Sequence, residues 1–289
     1  MGTTSRKRVM AAAVCGVAFL GCGGADEDGG GGETEWVKVE GGTYQMGDPG
    51  AGGDEMNVAW PVHEVTVKTF WMASTEVTNA QFADYLNTTS VDNLGKGQGG
   101  KTEIDLINAA TGIERADDGT FSAKGGMGSL PVVNVSATGA ARYAEWAGAR
   151  LPSEEEWEFA ARGGTLDVPG RYSGTDQEGM DYDVGWTSMY SEDGPRTVGT
   201  KPANELGLYD MTGNVWEFCQ TPFTFYPGHP LENRGGGAPA GPINRGGSFH
   251  GSSIAVWNRA YAAHYEVTTF DIGFRMARDT DPALDASRR

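Results

Sequence analysis

The sequence predicts an α+β domain with little regular secondary structure. Glycine supplies 45 of the 289 residues and is scattered along the chain, which calls for many turns. Stretches with a helical apolar period are few and short, and stretches of alternating polarity are brief and bounded by turn residues. From Trp36 to Arg278 the chain is long enough for one sizeable core and shows neither an internal repeat nor a linker.

The elements follow in order. Arg6, Lys7 and Arg8 precede an apolar run, Val9 to Leu20, closed by Gly21 and Cys22. That run is shorter than the roughly 20 residues a spanning helix needs. A basic start, a short apolar core and a small residue before the cut describe a secretory signal over residues 1–21. Phe19-Leu20-Gly21-Cys22 resembles the bacterial lipobox, with Phe19 where leucine is usual. The resemblance implies lipidation at Cys22 and an exported, membrane-anchored lipoprotein; the alternative is an ordinary signal cleaved nearby. Gly23, rather than the aspartate that resembles an inner-membrane retention signal, favours the outer membrane. Residues 22–35 form a flexible polar tether, in which Gly23 to Gly32 is glycine with Asp26, Glu27 and Asp28.

Trp36 to Met46 alternates around Gly41-Gly42 and reads as a β-hairpin; Val62 to Met72 reads as a further strand. Thr78 caps a helix, Asn79 to Leu86, with Phe82, Tyr85 and Leu86 inward. Thr88 to Leu130 is a polar, glycine-rich excursion of loops and hairpins. Pro131 to Val135 reads as a short buried strand, and Ala137 to Ala147 as a helix with Tyr143 and Trp146 on its apolar face. Ser153 with Glu156 forms a capping box opening a helix that runs to Arg162 and stops at Gly163-Gly164. The remainder to residue 278 is turns and short strands, and residues 279–289 are a polar tail.

The net charge of −17 falls by three more when the signal is removed, because that segment holds three bases and no acid. Such a surface repels nucleic acid and anionic headgroups and suits divalent cations, cationic partners or plain solubility. Of three cysteines, only Cys219 falls in the folded domain, so no intradomain disulfide or CxxC pair is available.

Four segments carry a family resemblance: Glu76-Val-Thr-Asn-Ala-Gln-Phe82, Arg150-Leu-Pro-Ser-Glu-Glu-Glu-Trp-Glu-Phe-Ala-Ala-Arg162, Gly207-Leu-Tyr-Asp-Met-Thr-Gly-Asn-Val-Trp-Glu-Phe218, and Arg245-Gly-Gly-Ser248 with Ile272-Gly-Phe-Arg275. In this order they resemble the formylglycine-generating enzyme, or sulfatase-modifying factor, superfamily. The resemblance spans about residues 36–278 and implies a variant of the C-type-lectin-like fold. It also implies one Ca²⁺, held by the side chains of Asp210 and Glu217 and the carbonyls of Gly213 and Val215. Hard oxygens from a tight loop are what this ion prefers; the alternative is a turn with solvated acids. The first two segments read as scaffold, with Trp157, Phe159 and Ala160 inward and Arg150 and Arg162 paired with acids.

In the oxygen-dependent oxidases of this family, two cysteines follow the serine by three and eight residues and bind Cu(I) as soft thiolates. Here the serine is Ser248 and those positions are Gly251 and Val256, so copper is not expected. His250 and His264 share no ligand-like spacing, and Cys219 reads as a packed thiol. The favoured reading is a non-oxidase, lipid-anchored envelope protein that binds an unidentified ligand or envelope partner, or serves in assembly. Ser248, His250 and Trp257, within the segment 248–257, and the aromatic segment 223–237 are its ligand-facing candidates. The alternative is a formylglycine-generating oxidase or another modifying enzyme on the same scaffold.

Overall fold

The computed structural model describes residues 32–54, 56–166, 170–175, 177, 181–188, 191, 194–232, 241–251 and 254–286. The expected signal, the lipidation position Cys22 and the first part of the tether, residues 1–31, lie outside the described residues.

Two short strand pairs make one long antiparallel ribbon. β1 (Trp36–Val39) pairs with β4 (Phe70–Ala73), and β2 (Gly42–Met46) with β3 (His63–Val67). Partners step without a slip from Trp36↔Ala73 through Val39↔Phe70 and Gly42↔Val67 to Met46↔His63. The expected hairpin at Gly41-Gly42 is therefore corrected: the chain runs through these glycines and reverses only in the loop 47–62. The reason is close approach. A Cβ on Gly41 would lie 2.6 Å from Thr69 N and from Val67 O, so the glycine lets the two backbones touch. The segment 62–72, expected as one strand, is interrupted at Lys68-Thr69 opposite the same glycine.

Around this ribbon the short elements assemble. β5 (Ile113–Arg115) and β6 (Phe121–Ala123) form a hairpin within the excursion and pack on α1 (Asn79–Thr88). β7 (Trp216–Pro222), β8 (Pro242–Arg245), β9 (Arg259–Tyr261) and β10 (Ile272–Gly273) form a sheet in the order β10-β7-β8-β9, with β10 parallel to β7. β11 (Ala277–Arg278) takes the second edge of β4, so the first and last strands flank the same strand. Pro131 to Val135 is buried but makes only isolated bridges, to Thr78 and Ile104, instead of joining a sheet.

Three helices carry the core. Thr78 caps α1, with Gln81 completing the capping box, and Phe82, Tyr85 and Leu86 are buried. α2 (Ala137–Trp146) is capped by Ser136 and buries Tyr143. Trp146, expected inward, is 47% exposed: it is the last helical residue, and its ring meets Tyr85 edge-on and Tyr143 at a tilt. α3 (Glu154–Ala161) has the capping box of Ser153 and Glu156, and Trp157, Phe159 and Ala160 are buried. One apolar cluster gathers Phe82, Tyr143 and Phe274 between α1 and α2; another gathers Phe70, Met72, Trp157 and Phe159 under α3. Each such side chain contributes on the order of 1.5–3 kcal/mol on burial. No helix among the described residues is long and apolar enough to cross a membrane.

Candidate functional site

The segment before β7 is shaped by backbone that few residues accept. Asp210, Gly213 and Asn214 have φ of +54°, +79° and +58°. At Gly213 a Cβ would lie 2.2 Å from Trp186 O, so only glycine fits. These turns aim Asp210 and Asn214 into the protein, where they are 2% and 0% exposed. Asp210 Oδ2 accepts from Gly199 N at 2.6 Å, while Oδ1 has no hydrogen-bond partner. Asn214 Nδ2 donates to Glu76 Oε1 at 3.0 Å. Glu76, just ahead of α1, is 1% exposed and its Oε2 is also unpartnered. Burial, and then the Asp210 charge, pushes the Glu76 carboxyl well above its ordinary range.

Glu217, expected to join Asp210 at a metal, is fully buried. Its Oε2 accepts from Trp157 Nε1 at 2.8 Å and Arg275 Nε at 2.7 Å, and its Oε1 accepts from Arg275 Nη2 at 2.7 Å. Both oxygens thus serve a fully buried ion pair, and three of about four lone-pair sites are taken. Among the described residues no three His, Cys, Asp or Glu side chains converge as a metal cluster.

Beside this lies a second buried ionic array, of which the sequence reading anticipated only that Arg162 pairs with an acid. Glu154 and Glu158, four apart on α3, turn inward on the Trp157 side and are 2% and 0% exposed. Glu158 takes Arg245 Nη2 on Oε2, and Arg162 Nε and Gly47 N, both at 2.9 Å, on Oε1. Glu154 holds Arg259 in a two-pronged pair at 2.6 and 2.9 Å, and Arg259 stacks 3.9 Å from the Tyr226 ring. Burial raises the Glu158 pKa, but the Arg245 and Arg162 guanidiniums outweigh it and hold the carboxyl below its ordinary value. The signal available in the sequence was the pair of acids one helical turn apart flanking an inward tryptophan. Arg150 pairs with the largely buried Glu156 and with the exposed Asp279.

The described residues of the segment 248–257 are less open than expected. Ser248 is 1% exposed and its hydroxyl donates to Asp271 Oδ2 at 3.0 Å, so it does not face a ligand. His250 is exposed and meets the Phe270 ring edge-on at 5.1 Å. Trp257 is half-buried beneath the Arg162 guanidinium, 5.5 Å away. Gly251 is half-buried, and Val256 is 1% exposed within the apolar cluster under α3. Neither side chain offers a donor atom, so these two positions do not fit copper. In the aromatic segment Phe223 and Tyr226 are core residues at 2% and 4% exposure, and residues 233–240 lie outside the described ones. Cys219 is 1% exposed, and burial raises its thiol pKa well above the ordinary value. His63 is half-buried, with Nδ1 against Pro61 O at 3.1 Å and its ring on Tyr226; His264 is exposed.

With this geometry in hand, the relatives are informative. The family described as FGE-sulfatase, sulfatase-modifying factor enzyme 1-like domain, matches residues 26–280. The formylglycine-generating enzyme of Streptomyces coelicolor is 33% identical over 290 residues, covering 85% of this chain and 89% of its own. The inactive C-alpha-formylglycine-generating enzyme 2 of Bos taurus is 32% identical over 239 residues, covering 68% and 74%. Among solved structures, PvdO from Pseudomonas aeruginosa superposes with a TM-score of 0.63 at 24% identity, covering 86% of this chain and 95% of its own. Treponema denticola variable protein 1 gives 0.62 at 21% identity, covering 85% and 95%.

Proposed function

Because the chain belongs to the sulfatase-modifying factor enzyme 1-like family, we propose that it is a non-oxidase member that uses the scaffold for binding or assembly at the cell envelope, anchored through lipid on Cys22. The fold is the formylglycine-generating-enzyme variant of the C-type-lectin-like fold. One observation carries the proposal: Gly251 and Val256 stand where the family resemblance implies the copper-binding cysteines. The single thiol of the described domain, Cys219, is buried and cannot substitute. That a relative of 32% identity is itself named inactive supports the idea that this scaffold is retained without the oxidase. The alternative reading, a formylglycine-generating or other modifying enzyme, draws on 33% identity across most of the chain.

The partner in this reading is an envelope protein or ligand met through exposed loops such as that of His250, and the net charge of −17 disfavours nucleic acid. Export, and placement in the outer membrane, rest on the segment around Cys22 and on Gly23. Calcium belongs to the same reading, with the side chains of Asp210 and Glu217 and the Gly213 and Val215 carbonyls as donors. The test is to incubate the chain from Gly23 onward with a sulfatase-type cysteine peptide, Cu(I) and O₂. No aldehyde is expected; turnover to an aldehyde would overturn the proposal in favour of the oxidase.

A further inference from the structure

A cleft of about 500 Å³ opens between His63, the start of α3 and the segment 224–232, a size usual for small-molecule sites. None of its lining comes from the segment 248–257. Three acids line it, Glu154, Glu155 and Glu232, and no lysine or arginine does. Glu154 is already neutralised, since Arg259 takes both its oxygens. The Glu155 carboxylate makes no hydrogen bond or ion pair among the described residues, and Glu232 accepts only from Gly228 N at 2.7 Å, a neutral donor. Two negative charges therefore stand uncompensated. His63 adds a further acceptor. Its Nδ1 lies 3.1 Å from Pro61 O, and a carbonyl can only accept, so Nδ1 carries the proton and the neutral ring leaves a lone pair on Nε2. Tyr226, 4% exposed on the same wall, has a hydroxyl with no hydrogen-bond partner, which is costly unless a ligand or water supplies one. Apart from Thr224, the rest of the lining is apolar: Met46, Phe225 and Pro227.

A metal ion needs its donors gathered at one point, and no three His, Cys, Asp or Glu side chains among the described residues converge in that way. Acceptors distributed along a partly apolar cleft suit an extended organic cation, whose N–H groups bond at separate places while its methylenes lie on the aromatic and proline surfaces. We propose that this cleft binds a linear aliphatic polyamine, with ammonium groups at Glu155 and Glu232 and an N–H donated to His63 Nε2. An ammonium offers three independent donors to scattered single acceptors, whereas a guanidinium calls for a coplanar fork.

The experiment titrates the whole mature chain with spermidine by calorimetry at about 0.15 M salt, where distant charges are screened, with thermal unfolding as a second readout. Wild type is expected to bind one equivalent and to unfold at a higher temperature with the ligand present. Glu155→Gln and Glu232→Gln should each weaken binding by about three- to fivefold, and together by more. Glu114→Gln with Asp117→Asn removes two exposed acids from the β5–β6 hairpin and should leave affinity within about twofold of wild type. If Glu155→Gln does not fold, the exposed Glu232→Gln still decides the matter. Equal losses in the hairpin and cleft variants mean diffuse attraction to an acidic surface and overturn the proposal, as does an absence of saturable binding by wild type. N-acetyl-lysinamide binding as tightly as spermidine overturns the extended ligand and assigns the cleft to a single ammonium, such as a lysine of a partner protein.

Discussion

Replacing Glu158 with glutamine tests whether the ionic array under α3 holds the domain together. The exchange conserves shape and keeps an oxygen for Gly47 N and Arg162, but it sets an amide NH₂ or a neutral oxygen against Arg245. Arg245 is 0% exposed, and its next acid, Glu154, stands 3.6 Å away and is already engaged with Arg259. Removing one partner of a buried pair costs about 3–5 kcal/mol, because the remaining charge stays buried. For a domain of this size that corresponds to a drop in Tm of about 6–20 °C, a large part of the roughly 5–15 kcal/mol that folding yields. Urea titration should show a lower midpoint with an unchanged slope. Adding Arg245→Met should recover part of the loss, since an apolar pair replaces an unpaired charge. The pH dependence has a definite sign. Glu158 has a depressed folded pKa, with Arg245 on β8, Arg162 after α3, and Glu154, Tyr44 and Tyr226 facing the same array. Its contribution is therefore present above the unfolded carboxyl pKa and lost as pH falls through the folded value. Wild type and variant should converge in stability as the solution is acidified below that range. A loss under about 1 kcal/mol at neutral pH, or a gap that widens in acid, would refute the reasoning.

Other outcomes are equally specific. Thr78→Ala removes the hydroxyl that accepts from Gln81 N, one half of the α1 capping box, and should cost about 0.5–2 kcal/mol in chemical denaturation. Gly213→Ala puts a Cβ 2.2 Å from Trp186 O at positive φ, and should destabilise by more than about 1 kcal/mol, whereas Gly53→Ala, with no atom within 4 Å of its Cβ, meets only the backbone penalty. Cys219 should stay unreactive toward a thiol reagent in the native protein and react once unfolded; native labelling at the rate of a free thiol would contradict its burial. Cys22→Ser should move the protein from the membrane fraction to the soluble fraction and abolish incorporation of labelled fatty acid; membrane retention with no lipid on the wild-type cysteine would remove the anchor.

What could be read in advance was what short stretches of chain dictate. Thr78 with Gln81, and Ser153 with Glu156, are local patterns, and both open helices where they were expected. Strand partnership is not local. Gly41-Gly42 has the composition of a turn, yet it runs straight because Val67 and Thr69, far along the chain, press against it. The site divides in the same way. Asp210 and the Gly213 turn were legible, but what Glu217 does depends on Arg275 and Trp157, 58 and 60 residues away. Glu76 belongs to a motif that explains itself as a helix start, so nothing in its neighbourhood announced a buried carboxylate facing Asp210. Ser248 and Val256 looked exposed because glycine and serine surround them; their burial comes from Asp271 and from Trp157 and its neighbours.

The placement of β4 between β1 and β11 sets an order in time. Met72 receives Val37 early in synthesis but waits about two hundred residues for Ala277, and Glu217 waits for Arg275. Contacts this distant in sequence form slowly, because a long loop must close before they reward it. A chain ending near residue 270 would therefore lack the strand on the second edge of β4 and the counter-charge of Glu217. The last few residues of the domain thus complete both the sheet edge and the ion pair.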